Sequence, residues 1–170
     1  MGASPVYTAA MRSLGKAIAS NGLTLVYGGS HIGQMGVIAD EVLDNGGKVI
    51  GIMTEHLDAK GLSHTGITEL HIVKDMQARK AGMLEAADAF IAAPGGIGTL
   101  EEYFETLSSF QLGFHHKPIG LYNVNGFYDR LMEAFRYFEA QDFMRNTKTD
   151  SLICEGDPVK LIRLLQENAR

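Results

Sequence analysis

Short apolar runs rich in β-branched residues alternate along this chain with longer stretches whose apolar positions return every three to four residues. The first kind of run suits a buried strand and the second an amphipathic helix, and their alternation is the pattern of crossover helices covering a parallel sheet. The runs predict strands over Thr24 to Tyr27, Lys48 to Met53, Glu69 to Val73, Ala89 to Ala93 and Pro118 to Tyr122, with a weaker one over Ser151 to Cys154. Helices fill the gaps. The first is predicted to start at Pro5, where a residue without an N–H is favoured, and to bury Ala9, Leu14, Ala17 and Ile18. A second runs from Met35 to Asn45 and stops at Gly46-Gly47. Asp75 caps a third that reaches Ala87, and Thr99 caps a fourth that reaches about Leu112. Two more run from about Phe127 to Ala140 and, after Asp157-Pro158, to about Asn168.

Composition narrows this picture. The 170 residues, 45% of them hydrophobic, suffice for one core, and with no repeat or linker residues 1–170 are expected to form a single domain. The 20 glycines show no period and gather at the ends of apolar runs, as turn residues do. A net charge of −5 without any stretch of five or more Lys/Arg argues against a nucleic-acid groove or an anionic membrane surface as partner. An anionic small ligand would need a local cationic pocket. Cys154, the only cysteine, excludes an intrachain disulfide. The N-terminus shows no apolar leader, and no stretch approaches the roughly 20 apolar residues of a membrane span, so the expected location is the cytoplasm.

In open α/β sheets ligands bind beyond the carboxyl ends of the strands, so the turns Gly28-Gly29 and Gly95-Gly96 stand out. Between the strand ending at Ala93 and the helix near Thr99, three glycines in four positions let the backbone approach a ligand, and the helix N-terminus favours an anion. The reading is a phosphate cradle; the alternative is a strand-to-helix turn with nothing bound. It is no Walker loop, because no Lys-Ser/Thr pair follows the last glycine, and no dinucleotide fingerprint, because Glu101 takes the third glycine position. Glu102 stands three residues after Thr99, so a T-x-x-E capping box is one reason for it and a carboxylate held near the phosphate is the other. Arg79 and Lys80 lie early in their helix, where the dipole disfavours cations unless an anion is bound, the alternative being a solvated basic pair. His31, His56, His64, His71, His115 and His116 show no ligand spacing that suggests zinc, and His116-Lys117 ahead of Pro118 reads as a loop.

Met76-x-x-Arg79-Lys80 together with Pro94-Gly95-Gly96-x-Gly98-Thr99-x-x-Glu102 resembles the two-part signature of the LOG (lonely guy) family, the phosphoribohydrolases that activate cytokinins. Leu25 to Gly29, Asp88 to Ile91, Gln111 to Gly113 and Lys117-Pro118 look like the family too, so the resemblance runs from Pro5 to about Phe143. It implies a Rossmann-like, doubly wound parallel sheet in a homodimer. The implied reaction is hydrolysis of the N-glycosidic bond of a nucleoside 5′-monophosphate, a cytokinin riboside monophosphate or AMP, to free base and ribose 5-phosphate. Water suffices, with no organic cofactor and no metal. The resemblance gives Glu102 and Arg79 the catalytic roles, Glu102 stabilising an oxocarbenium-like state. It places Lys80, Gly95, Gly96, Gly98, Thr99, Glu101, Gly28, Gly29, Met76 and Ser108 around substrate and phosphate. The lysine decarboxylase label that some members carry is not supported by these residues. Family members open with a strand and a Gly/Ser loop ahead of the segment matching Gly2 to Tyr7, so the sheet is expected to lack that first strand. The alternative function is a non-catalytic nucleotide-binding or molybdenum-cofactor-carrier-like protein, which would use the glycine turn without Glu102.

Overall fold

The computed structural model describes residue 2, residues 4–144 and residues 149–169. The backbone divides into two compact units, Met1–Ala87 and Asp88–Arg170, and each is built on a three-stranded parallel sheet.

The first unit runs α1 (Pro5–Ser20), β1 (Thr24–Tyr27), α2 (Gly33–Asp44), β2 (Lys48–Thr54), α3 (Glu55–Asp58), β3 (Glu69–Val73) and α4 (Met76–Ala86). Its strands lie in the order β1-β2-β3, with Val26 beside Ile50 and Met53 beside Ile72. Ser4 accepts the Val6 N–H and Pro5 opens α1, as the sequence predicts. The buried stripe of α1 is Ala10, Met11, Leu14, Ala17 and Ile18. Ala9 is exposed rather than buried, because it lies about 140° round the helix from Leu14, at the centre of that stripe. α2 starts two residues ahead of Met35, and Thr54 both ends β2 and caps α3 by accepting the Leu57 N–H at 3.3 Å. A helix of four residues carries no period, so α3 leaves no mark in the apolar pattern.

The second unit runs β4 (Phe90–Ala92), α5 (Ile97–Gln111), β5 (Ile119–Tyr122), α6 (Asp129–Ala140), β6 (Ile153–Glu155) and α7 (Pro158–Asn168). Strand order is β4-β5-β6, with Ile91 beside Gly120 and Leu121 beside Cys154. Its core joins Ala92, Tyr103, Leu107, Leu121, Tyr128, Met132 and Phe135. α7 is capped as expected, Asp157 accepting the Lys160 N–H at 2.8 Å. α6 begins two residues after the predicted Phe127, because a 3-10 turn over Val124–Gly126 intervenes and the Asn123 side chain accepts the Tyr128 N–H at 2.7 Å. β6 is shifted towards Glu155 since Thr149–Ser151 winds into another 3-10 turn. Among the described strands β1 pairs with β2 alone and β4 with β5 alone. No described helix is long and apolar enough to cross a membrane.

Tyr128 fastens the carboxyl end of β4. Only 2% exposed, it donates its hydroxyl to Ala93 O at 2.7 Å, just ahead of the glycine turn. Burial pushes its phenol up to about 12, with a smaller push from Cys154. The folded state therefore holds this proton more tightly than the unfolded chain, so stability should fall as pH rises from 10, the ordinary tyrosine value, towards 12. Tyr103 and Tyr122 are raised by burial too and share the slope. Tyr128→Phe is expected to lose about 1 kcal/mol at neutral pH and to show a shallower alkaline slope, both read from denaturant midpoints across pH.

Candidate active site

β4 delivers the chain to Pro94, which is buried, and then to Gly95 and Gly96, which are exposed. Here the structure corrects the expected cap. Gly96, not Thr99, is the N-cap of α5, and its carbonyl accepts the Leu100 N–H at 3.2 Å. Thr99 is therefore the third residue of the helix, and no Thr99–Glu102 capping box exists. Glycine tolerates the N-cap position, so the helix winds three residues earlier than a side-chain cap would have set it. Freed from capping, the Thr99 side chain lies against Gly95, where an added Cβ would overlap Thr99 Oγ1. Nothing approaches within 4 Å of a Cβ built on Gly96 or Gly98. The first-turn N–H groups of Ile97, Gly98 and Thr99 precede any intrahelical acceptor, which is the geometry that receives a phosphate.

Glu102 stands in the second turn of α5, half-buried, with its carbonyl accepting the Thr106 hydroxyl at 2.8 Å. Glu101 is exposed beside it. Ser108 shares the exposed side of α5 with Glu101 but lies about 14 Å from Thr99 along the axis, so the helix does not bring it to the turn. Ile97 opens the helix 83% exposed, an apolar tip on an otherwise glycine-built turn.

In the first unit Arg79 sits in the opening turns of α4, whose N-cap Asp75 accepts the Ala78 N–H at 2.8 Å. It is no solvated surface charge: at 7% exposure it donates Nε to Ile52 O at 2.9 Å and Nη2 to Gly28 O at 3.0 Å. The guanidinium thus ties α4 to the carboxyl ends of β1 and β2. A Cβ on Gly28 would overlap Nη2, so any side chain there must displace the buried guanidinium from its two carbonyls. Gly29 turns the chain with φ +75°, a conformation other residues rarely adopt. Lys80 follows half-buried, and Met76 at the helix start is 44% exposed.

Sequence reasoning finds Arg79 and the glycines but misses Tyr128 and the Ile52 carbonyl. Both act through contacts between distant segments, and a main-chain acceptor leaves no residue signature. Among the described residues no three His, Cys, Asp or Glu gather to hold a metal ion. His116-Lys117 lies in the loop between α5 and β5, where the preceding His115 accepts the Lys117 N–H at 3.2 Å.

Residues 35–165 match the family described as possible lysine decarboxylase. The chain is 44% identical over 144 residues to the cytokinin riboside 5′-monophosphate phosphoribohydrolase of Rhodococcoides fascians, a match covering 84% of this chain and 73% of that protein. Against a protein of the same name from Arabidopsis thaliana, identity is 39% over 163 residues, covering 96% and 76%. Among solved structures, the molybdenum cofactor binding protein of Rippkaea orientalis superposes with a TM-score of 0.71 at 22% identity, over 97% of this chain and 89% of that one. The molybdenum cofactor carrier protein of Chlamydomonas reinhardtii gives 0.70 at 19%, over the same shares of 97% and 89%. Those two likenesses establish the Rossmann-like fold.

Proposed function

We propose, since this chain belongs to the possible lysine decarboxylase family alongside phosphoribohydrolases, that it hydrolyses the N-glycosidic bond of a nucleoside 5′-monophosphate. A cytokinin riboside monophosphate or AMP is the substrate, and free base and ribose 5-phosphate are the products. The observation that carries the reading is the start of α5. By opening on Gly96 it leaves the N–H groups of Ile97 to Thr99 in an exposed first turn, with Glu102 one turn further on.

The 5′-phosphate accepts those N–H groups and the Thr99 hydroxyl, with Gly95, Gly96 and Gly98 keeping side chains out of its way. The C1′–N bond breaks as the oxygen of water bonds to C1′. Glu102 holds that water, takes the proton it loses and stabilises the positive charge on the ribose ring; the departing base takes up a proton from solvent at its ring nitrogen, and Glu102 returns its own to solvent. Arg79 and Lys80 supply the positive charge that the dianionic substrate needs, and Gly28, Gly29, Met76 and Glu101 complete the candidate set, with Ser108 left outside it by its distance along α5. Residues 1–170 act as one nucleotide-binding domain in the cytoplasm. A homodimer belongs to the reading because the second unit exposes large apolar side chains, Phe104 at 42%, Leu112 at 71%, Phe114 at 78% and Phe143 at 84%, that a second copy would cover.

Incubating the protein with AMP and with an N6-prenylated AMP, then separating base from nucleotide by chromatography, tests the reading. Base release is expected from protein that sediments with the mass of two chains. A folded sample that frees no base from any monophosphate overturns the activity, and a monomer mass overturns the dimer.

A further inference from the structure

The glycine turn proposed to hold the phosphate carries little that could hold the turn itself. Nothing lies within 4 Å of a Cβ built on Gly96 or Gly98, and the Thr99 side chain against Gly95 comes from the helix that the turn must aim. Glycine backbone has the widest conformational freedom, so the N–H groups of Ile97, Gly98 and Thr99 keep one arrangement only if β4 and α5 are fixed from outside the turn.

Tyr128 reaches both sides of it. Its hydroxyl donates to Ala93 O at 2.7 Å, directly ahead of Pro94, and its ring lies in the same buried cluster as Tyr103 and Leu107 of α5. Tyr128 is held in turn by Asn123. The Tyr128 N–H donates to Asn123 Oδ1 at 2.7 Å, Asn123 Nδ2 donates to Asp129 Oδ1 at 2.8 Å, and the Asn123 N–H donates to Glu155 O of β6 at 2.8 Å. Between them the backbone passes through Asn125 at φ +51°, a left-handed conformation that costs free energy in a residue other than glycine and persists because these bonds close across it.

We infer that Asn123 and Tyr128 are positioning residues for the 5′-phosphate, which set the glycine turn in its anion-binding arrangement through Ala93 O. The inference rests on the proposed phosphate site and adds the residues that keep it ready. With the turn released, the chain spends only part of its time in that arrangement, and apparent affinity falls by that fraction. The phosphate is remote from the C1′–N bond and is gripped in the ground state and the transition state alike, so the loss falls on KM rather than kcat.

Amide-proton NMR of the whole chain titrated with inorganic phosphate, followed at Ile97, Gly98 and Thr99, is the test, beside steady-state kinetics with AMP. Tyr128→Phe is expected to weaken phosphate roughly fivefold, the worth of one hydrogen bond, and to raise KM for AMP by a similar factor with kcat within about twofold of the parent. Asn123→Asp sets a second carboxylate against Asp129 and should weaken phosphate at least as much. Adding Asp129→Asn restores a donor and an acceptor to that pair and should recover most of the affinity. Tyr122→Phe is the control, equally buried at 2% but on the face of β5 it shares with Gly120, whose added Cβ would meet Leu161 and Leu165 of α7, and should leave phosphate affinity within about twofold. Unchanged phosphate affinity in both Tyr128→Phe and Asn123→Asp, an equal loss in Tyr122→Phe, or a parent whose three amides do not respond to phosphate would each overturn the inference. A parent that binds phosphate but frees no base overturns the hydrolysis alone, and the phosphate affinities still decide the role of Tyr128.

Discussion

Glu102→Gln should leave the protein folded and lower kcat for base release from a nucleoside 5′-monophosphate by roughly 10²–10⁴-fold, the range a positioned acid–base group supplies. The substitution keeps the length and helix propensity of the side chain and removes its charge, so it separates chemistry from packing. Had Thr99 capped α5, a loss at this position could have been assigned to a broken capping box. With Gly96 as the cap, that explanation is gone, and the Thr106 hydroxyl bonds the Glu102 carbonyl, which glutamine retains. The measurement is single-turnover base release beside a denaturant midpoint. An unchanged midpoint with the full loss of rate is expected. Activity within twofold of the parent would take the carboxylate out of the mechanism and leave the glycine turn as a binding device.

The second large effect is on stability. Arg79→Ala strips donors from two main-chain acceptors, Ile52 O and Gly28 O, at a residue only 7% exposed. An unsatisfied buried acceptor costs about 1–3 kcal/mol, so about 2–6 kcal/mol is expected for the pair, a large share of the roughly 5–15 kcal/mol that holds a domain together. Arg79→Lys restores the charge without the planar fork that reaches two carbonyls at once, and should recover only part of the loss. Gly28→Ala attacks the same joint from the other side by driving a methyl group into Nη2. Urea midpoints of the three variants test this. An Arg79→Ala protein within about 1 kcal/mol of the parent would show that the two bonds do not fasten the edge of the sheet.

Elements with a period or a local signal were legible from the residues alone. β1 and β3 fall where the apolar runs put them, and α1, α4 and α7 open where Pro5, Asp75 and Asp157-Pro158 indicate. Thr99 misled because a threonine three residues before a glutamate is a local signal that a glycine cap overrides when the glycines already permit the turn. Ala9 misled because an alanine fits either side of a helix, and the packing of its neighbours decides. The glycine turns and Arg79 were visible as chemistry, yet what Arg79 touches was not, because it depends on which loop crosses which strand end.

The joint between Arg79 and the ends of β1 and β2 also bears on how this chain can drift. The carbonyl of Ile52 belongs to the backbone and survives any replacement of the isoleucine, so that half of the contact places no demand on residue type. The other half does. Position 52 is held to an apolar residue by its place in the core, 4% exposed, whereas position 28 is held small by the guanidinium, so a single arginine adds a demand at one strand end that its neighbour does not feel.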